Sequence, residues 1–183
     1  IRDRIMEHIH AEIVHAKALA RQVKATFDVI RVSLPWAKAS SLTDVSQSLP
    51  DVVLSRIGRG GIPSTYVPGR NTLFVAFAIS AADALRAQAI VLGPNVLDYS
   101  GYPDCRPAFY QAMRKAARLG TRMGSEGAAI KILTPLIRLD KAGIVRLARR
   151  LGVPVERTWS CYSGGKTPCL RCDSCKLRQK GLS

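Results

Sequence analysis

Acidic residues are scarce in this chain. Only 13 Asp and Glu stand against 28 Lys and Arg over 183 residues, a formal charge of +15. Such a surplus commonly accompanies nucleic-acid binding, because phosphate contact by Lys and Arg releases counterions. Aromatic residues are also few, at 6%, which leaves little on which single-stranded bases could stack. The basic residues are spread along the chain without a long run, as at Arg114, Lys115, Arg118, Arg146, Arg149 and Arg150. Direct nucleic-acid binding is therefore not expected, and solvated helix faces are the simpler reading. No apolar run approaches the ~20 residues that cross a bilayer, so no membrane association is expected. An h-region with a small-residue cleavage site is missing from the N-terminus. The chain opens without Met on a helical pattern, and a segment upstream of Ile1 is expected. Outside the tail there is one cysteine, Cys105. A disulfide scaffold would distribute its cysteines, so the terminal cluster points to metal in a reduced, cytoplasmic compartment.

What is present is ordinary globular composition: 47% hydrophobic and 22% charged residues, sufficient for one domain or one domain with a small appendage. Apolar residues Ile5, Ile9, Ile13, Ala16, Ala20 and Val23 recur at helical steps, so residues 2–25 read as an amphipathic helix. Residues 27–34, "FDVIRVSL", read as a strand. From Pro35 to about Arg70 the chain is rich in Ser, Pro and Gly, a length typical of functional loops or lids. Asn71 is expected to cap a helix running to about Arg86. Residues 89–93, "AIVLG", read as a buried parallel strand, followed by an irregular segment, "PNVLDYSGYPDCRP". A helix over 108–119, a strand in "IKILTPL" and a helix capped by Asp140 complete the pattern. This alternation implies an α/β fold, a doubly wound parallel sheet with helices on both faces. Ligands then sit beyond the carboxyl ends of the strands, at loops 93–107 and 134–140.

The tail "CYSGGKTPCLRCDSC" places Cys169, Cys172 and Cys175 at two successive two-residue gaps, with Cys161 across a seven-residue loop. Two cysteines so spaced put both sulfurs on one tetrahedral ion with little backbone strain, so the four are expected to hold structural zinc. Gly164, Gly165 and Pro168 let the loop turn. An iron–sulfur cluster is the lesser alternative. The "GGKT" is not a phosphate loop: Ser160 stands where the first glycine is required, and Pro168 and Cys169 follow at once. His8, His10 and His15 lie on the first helix without metalloprotease spacing and read as exposed helix residues. Cys105 sits between Asp104 and Arg106; a buried small thiol is favoured there over a nucleophile. For Asp98, Asp104 and Arg106, turn chemistry and a ligand site weigh equally.

The stretches "GIPSTYVPGRNTLFVAFA", "LDYSGYPDCRPAF", "TPLIRLDKAGIVRLA" and "TWSCYSGGKTPCLRCDSCKLRQKGL" resemble the 7-cyano-7-deazaguanine synthase family of queuosine biosynthesis, over residues 61–182. The resemblance implies an adenine-nucleotide α-hydrolase (PP-loop) fold and an ATP-dependent carbon–nitrogen ligase. It implies a deazapurine acid and ammonia as substrates, ATP with Mg2+, zinc on Cys161, Cys169, Cys172 and Cys175, and a homodimer. Carried onto this chain, Asp98, Tyr99, Ser100, Asp104 and Arg106 are expected to wall the deazaguanine site. Arg70 and Asn71, at a helix start, are expected to bind an anion. Catalytic residues are not readable. The family's Ser-Gly-Gly-x-Asp-Ser pyrophosphate loop has no counterpart here. Residues 1–157 are accordingly expected to form the α/β domain without its first strand and phosphate loop, and 158–183 the zinc segment; ATP turnover is not expected from this stretch alone. A basic zinc-binding RNA module, or a tRNA-modifying PP-loop enzyme using Cys105, are the alternative readings.

Overall fold

The computed structural model describes residues 3–34 and 36–183, with the side chains of residues 3–8, 37, 99 and 100 outside that description. The chain divides into two compact units, one of residues 1–57, 64–68 and 141–183, the other of residues 58–63 and 69–140. This division differs from the expected one at 157/158. Residues 141–157 group with the cysteine segment because the helix they begin packs along the terminal helix.

The second unit is built around a parallel pair of strands. Helix α2 (Arg70–Ala84) precedes β1 (Ala89–Val91). The chain then runs through α3 (Val96–Gly101), a 3-10 turn at Pro103–Cys105, α4 (Pro107–Gly120) and α5 (Arg122–Ser125) to β2 (Lys131–Leu133). Ala89, Ile90 and Val91 pair with Lys131, Ile132 and Leu133 in parallel register. Alternation along each strand sends Ile90 and Ile132 into a core with Val75, Ala82, Tyr110, Met123 and Ile130. Val75 and Ala82 are seven residues apart on α2, two helical turns, and so share its inward face. Arg114 on α4 donates Nε and an Nη to the Ile132 carbonyl at 2.9 and 2.6 Å, which ties helix to strand. The Asp83 carboxylate receives the Met123 and Arg122 N–H groups at 2.8 and 3.2 Å and so fixes the start of α5. These hydrogen bonds hold the Asp83 carboxyl below its ordinary value.

Several expectations change here. The 89–93 strand is three residues long, and its outer side chains are not buried: Val91 is 65% exposed, and its β2 partner Leu133 is 44% exposed. The parallel sheet is real, with two strands among the described residues. The "irregular" segment after β1 is mostly helical, because Asn95 and Asp98 form a reciprocal cap that starts α3. Gly69, in left-handed conformation at φ 65°, takes the N-cap position of α2, so Asn71 lies inside the helix.

In the first unit, α1 covers Asp3–Gln22. Residues 27–34 are not a strand. A strand is held by its neighbour's ladder, and no described residue pairs with this segment, so Val29, Ile30 and Val32 stay exposed. The long Ser/Pro/Gly stretch is ordered through its hydroxyls. Ser40 and Ser41 are fully buried; Ser41 N–H reaches Ser64 O at 2.9 Å, and Leu42 N–H reaches Ser40 Oγ at 3.2 Å. Helix α6 (Lys141–Arg150) packs on α7 (Asp173–Leu182), where Gly181 lies against Lys141 so closely that an added Cβ would come within 2.9 Å of Lys141 Cβ. Among the described residues no helix is long and apolar enough to cross a membrane.

Candidate functional site

Two constellations stand out, one in each unit. In the first unit, the Sγ atoms of Cys161, Cys169, Cys172 and Cys175 all lie within 4.8 Å of one another. Four thiolates about 2.3 Å from one tetrahedral ion have edges of roughly 3.8 Å, so the cluster needs only a small contraction to share an ion. The backbone prepares the sulfurs. Ser163 and Cys169 N–H groups point at Cys161 Sγ at 3.4 and 3.3 Å, and Cys172 N–H points at Cys169 Sγ at 3.4 Å. Such bonds favour thiolate over thiol. At Cys169 burial works against the charge, but hydrogen bonds from Ser163, Cys172, Arg171 and Cys161 outweigh it and bring the thiol down to about 6. Burial pushes Cys172 and Cys175 upward. Between Cys169 and Cys172 the chain turns through Leu170 at φ +62°, a left-handed position for a side-chain-bearing residue, while Gly164 and Gly165 turn the longer loop at φ 71° and 86°.

A second layer holds this cluster. Trp159 donates its indole N–H to Cys161 O at 3.0 Å and stacks on His15 with centroids 5.3 Å apart. His15 Nδ1 is 2.5 Å from Arg157 O. One of the helix histidines therefore has a structural post beside the cluster. Arg178 reaches back from α7 to Thr158 Oγ1 and Val155 O, both at 2.6 Å, and Lys176 bonds Asp51 and Val52 O. The four sulfurs can thus hold a metal ion, and their closed coordination leaves no position for substrate.

In the second unit the polar site forms where the chain leaves β1. Asp104 is only 6% exposed, and its Oδ2 receives the Asn71 N–H at 3.0 Å. The Asn71 side-chain amide donates to Cys105 Sγ at 3.1 Å. Burial, then the charges of Asp98 and Asp104, push the Cys105 thiol up to about 12, against a smaller opposing effect of Arg70. Burial, followed by Cys105, Asp104 and Asp98, pushes the Tyr110 phenol up as well. A thiol so held stays protonated, which suits a small buried hydrogen-bonding group and not a nucleophile.

Of the seven residues expected to bind substrate, Asn71 and Asp104 are joined directly. Arg70 and Asp98 are near enough for their charges to act on Cys105. Asp98 Oδ2 accepts the Asn95 N–H and side-chain amide at 3.1 and 2.5 Å, so it serves the cap of α3. Arg106 is exposed, and the side chains of Tyr99 and Ser100 lie outside the described residues. The anion at the α2 N-terminus is the chain's own Asp104 carboxylate. Tyr110 was not legible as a member of the cluster. Its only signal is its place on the first turn of the helix that follows the strand-end loop.

A parallel α/β unit with a buried carboxylate at its strand end, joined in sequence to a tetrathiolate clamp, defines a class: α/β proteins carrying a closed metal knot. A family model described as "Queuosine biosynthesis protein QueC" matches residues 6–183. The chain belongs to the QueC family. It is 50% identical over 153 residues to a 7-cyano-7-deazaguanine synthase of Prochlorococcus marinus, covering 84% of this chain and 67% of that protein. It is 48% identical over 168 residues to the Synechococcus elongatus enzyme of the same name, covering 89% and 71%. The Acaryochloris marina protein so named is 47% identical over 182 residues, covering 94% and 79%.

Proposed function

We propose that this protein is a 7-cyano-7-deazaguanine synthase, converting 7-carboxy-7-deazaguanine and ammonia to the nitrile at the expense of ATP. The observation that carries this reading is 47–50% identity, over 84–94% of the chain, to relatives of that name in three genera. The polar cluster at the strand end is consistent with it, since a deazapurine presents N–H donors and a buried carboxylate accepts them.

The chemistry explains the need for ATP. A carboxylate is a poor electrophile, so its oxygen attacks the α-phosphorus, displacing pyrophosphate and forming an acyl adenylate. Ammonia attacks that carbonyl, loses a proton and expels AMP, leaving the amide. The amide oxygen then attacks the α-phosphorus of a second ATP and displaces pyrophosphate; loss of AMP and the two remaining N–H protons gives the nitrile. Catalysis of such steps is mainly positioning and stabilisation of developing charge. In this reading Arg70 offsets charge at the cluster, Asn71 holds Asp104, Asp104 fixes the substrate edge, and Asp98 holds α3 in place. Tyr99, Ser100 and Arg106 complete the wall. The scaffold is a doubly wound PP-loop sheet, and the protein works as a cytoplasmic homodimer with Mg2+ on the nucleotide. Zinc on Cys161, Cys169, Cys172 and Cys175 supplies a cross-link that fixes the tail, and it takes no part in the reaction.

The test is incubation of the full-length protein with 7-carboxy-7-deazaguanine, ammonium and ATP, with product identified by mass. A nitrile formed only when all three are present supports the reading; a folded, metal-loaded protein that makes none rejects it.

A further inference from the structure

We propose that the second carboxylate oxygen of Asp104, Oδ1, accepts one N–H from the amino-lactam end of the bound deazapurine, and that Asp98 takes no part in this contact. This rests on the function proposed above and narrows it to one atom.

Asp104 is more than nine-tenths buried, and its two oxygens differ in their surroundings. Oδ2 is committed to the Asn71 N–H near the start of α2, whereas Oδ1 is buried without a hydrogen-bond partner among the described residues. A buried acceptor left in this way is costly, and folded chains rarely keep one without a use. The Asn71 side-chain amide points instead at Cys105 Sγ, 3.1 Å away. Asp98 and Asp104 lie close to Cys105 together with Arg70, two acidic side chains against one basic. The site therefore attracts hydrogen-bond donors and repels anions. A 7-carboxy-deazapurine has both kinds of end. Its ring N–H and exocyclic amine suit Oδ1, and its own carboxylate is turned away from Asp104, toward the reacting groups.

The same bookkeeping separates the two aspartates. Asp98 serves the α3 cap through two bonds from Asn95. Asp104 has one oxygen to offer, not two, so it reads a single N–H and not a paired edge. A site built on one buried acceptor discriminates strongly against ligands that lack the matching donor.

Asp104→Asn tests this, because the amide oxygen can keep the Asn71 N–H while an NH2 group replaces Oδ1. Titration calorimetry of the full-length protein with 7-deazaguanine alone reads the contact without turnover. Steady-state nitrile formation reads it in the reaction. The expected result is about 10- to 100-fold weaker binding of 7-deazaguanine, a matching rise in KM for the carboxy substrate, an unchanged KM for ATP and an unchanged melting temperature. Asp98→Asn should lower the melting temperature with the deazapurine affinity kept. Unchanged binding in Asp104→Asn, or a loss that accompanies a fallen melting temperature and extends to ATP, overturns the proposal. Wild-type protein that binds 7-deazaguanine through Asp104 but forms no nitrile would reject the proposed reaction and leave this contact standing.

Discussion

Gly124 is where a single methyl group should do most damage. Its added Cβ would sit 2.1 Å from Arg118 O, 2.6 Å from Arg118 C and 2.9 Å from Arg118 Cα. Carbon–oxygen contacts normally lie at about 3.3 Å or beyond, so the last turn of α4 and the start of α5 must separate by about 1.2 Å. Neither side can yield cheaply. Gly124 N–H is held by Thr121 Oγ1 at 3.0 Å, and the Met123 N–H by Asp83 at 2.8 Å. Met123 itself is buried in the core. Loss of the Thr121 cap costs about 1 kcal/mol, and overpacking against backbone a further ~1–3 kcal/mol. A total near 3 kcal/mol, divided by a urea m-value of about 2 kcal/mol/M, lowers the unfolding midpoint by about 1.5 M. Gly120→Ala is the control: its Cβ meets nothing within 4 Å in the same helical region. There alanine should be neutral or stabilise by up to about 1 kcal/mol. If Gly124→Ala unfolds at the wild-type urea concentration, or Gly120→Ala is equally damaged, the α4–α5 junction is not packed as described.

Two further outcomes are expected. Cys175→Ser should abolish retention of one metal equivalent after desalting, read by elemental analysis, and lower thermal stability sharply, since structural thiolate sites contribute about 10–16 kcal/mol; full retention would refute the clamp. Cys105, with its thiol raised from 9.0 to about 12, should alkylate at pH 8 about a thousandfold more slowly than an ordinary cysteine, followed by peptide mass at that residue. Its raised folded value also means that its contribution to stability is complete below pH 9.0 and is lost as pH rises toward about 12. Rapid labelling in the folded protein would reopen the nucleophile reading.

The clamp was legible because its information is local. Two-residue cysteine gaps and a glycine-bearing loop restrict where four sulfurs can go, and they meet within 4.8 Å. The helices over 3–22, 70–84, 107–120 and 141–150 were legible for a similar reason, being written in periodicity and punctuation. Residues 27–34 misled because β-branched composition marks a chain able to join a sheet, and joining depends on a neighbour. Asn71 was misassigned as a cap because the preference for Asn at helix starts is blind to Gly69 two residues earlier.

By itself the sequence determined the helices over 3–22, 70–84, 107–120 and 141–150, the clustering of four cysteines and the family. All three rest on residue type and short-range spacing, which do not depend on how distant parts meet. Tertiary structure alone decided which oxygen of Asp104 is committed and which is left over. It also decided that Tyr110 joins the cluster. Those outcomes depend on the Asn71–Asp104 contact, 33 residues apart along the chain. A hydrogen bond across that distance is set by packing of α2 against the strand-end loop, and no local pattern encodes it.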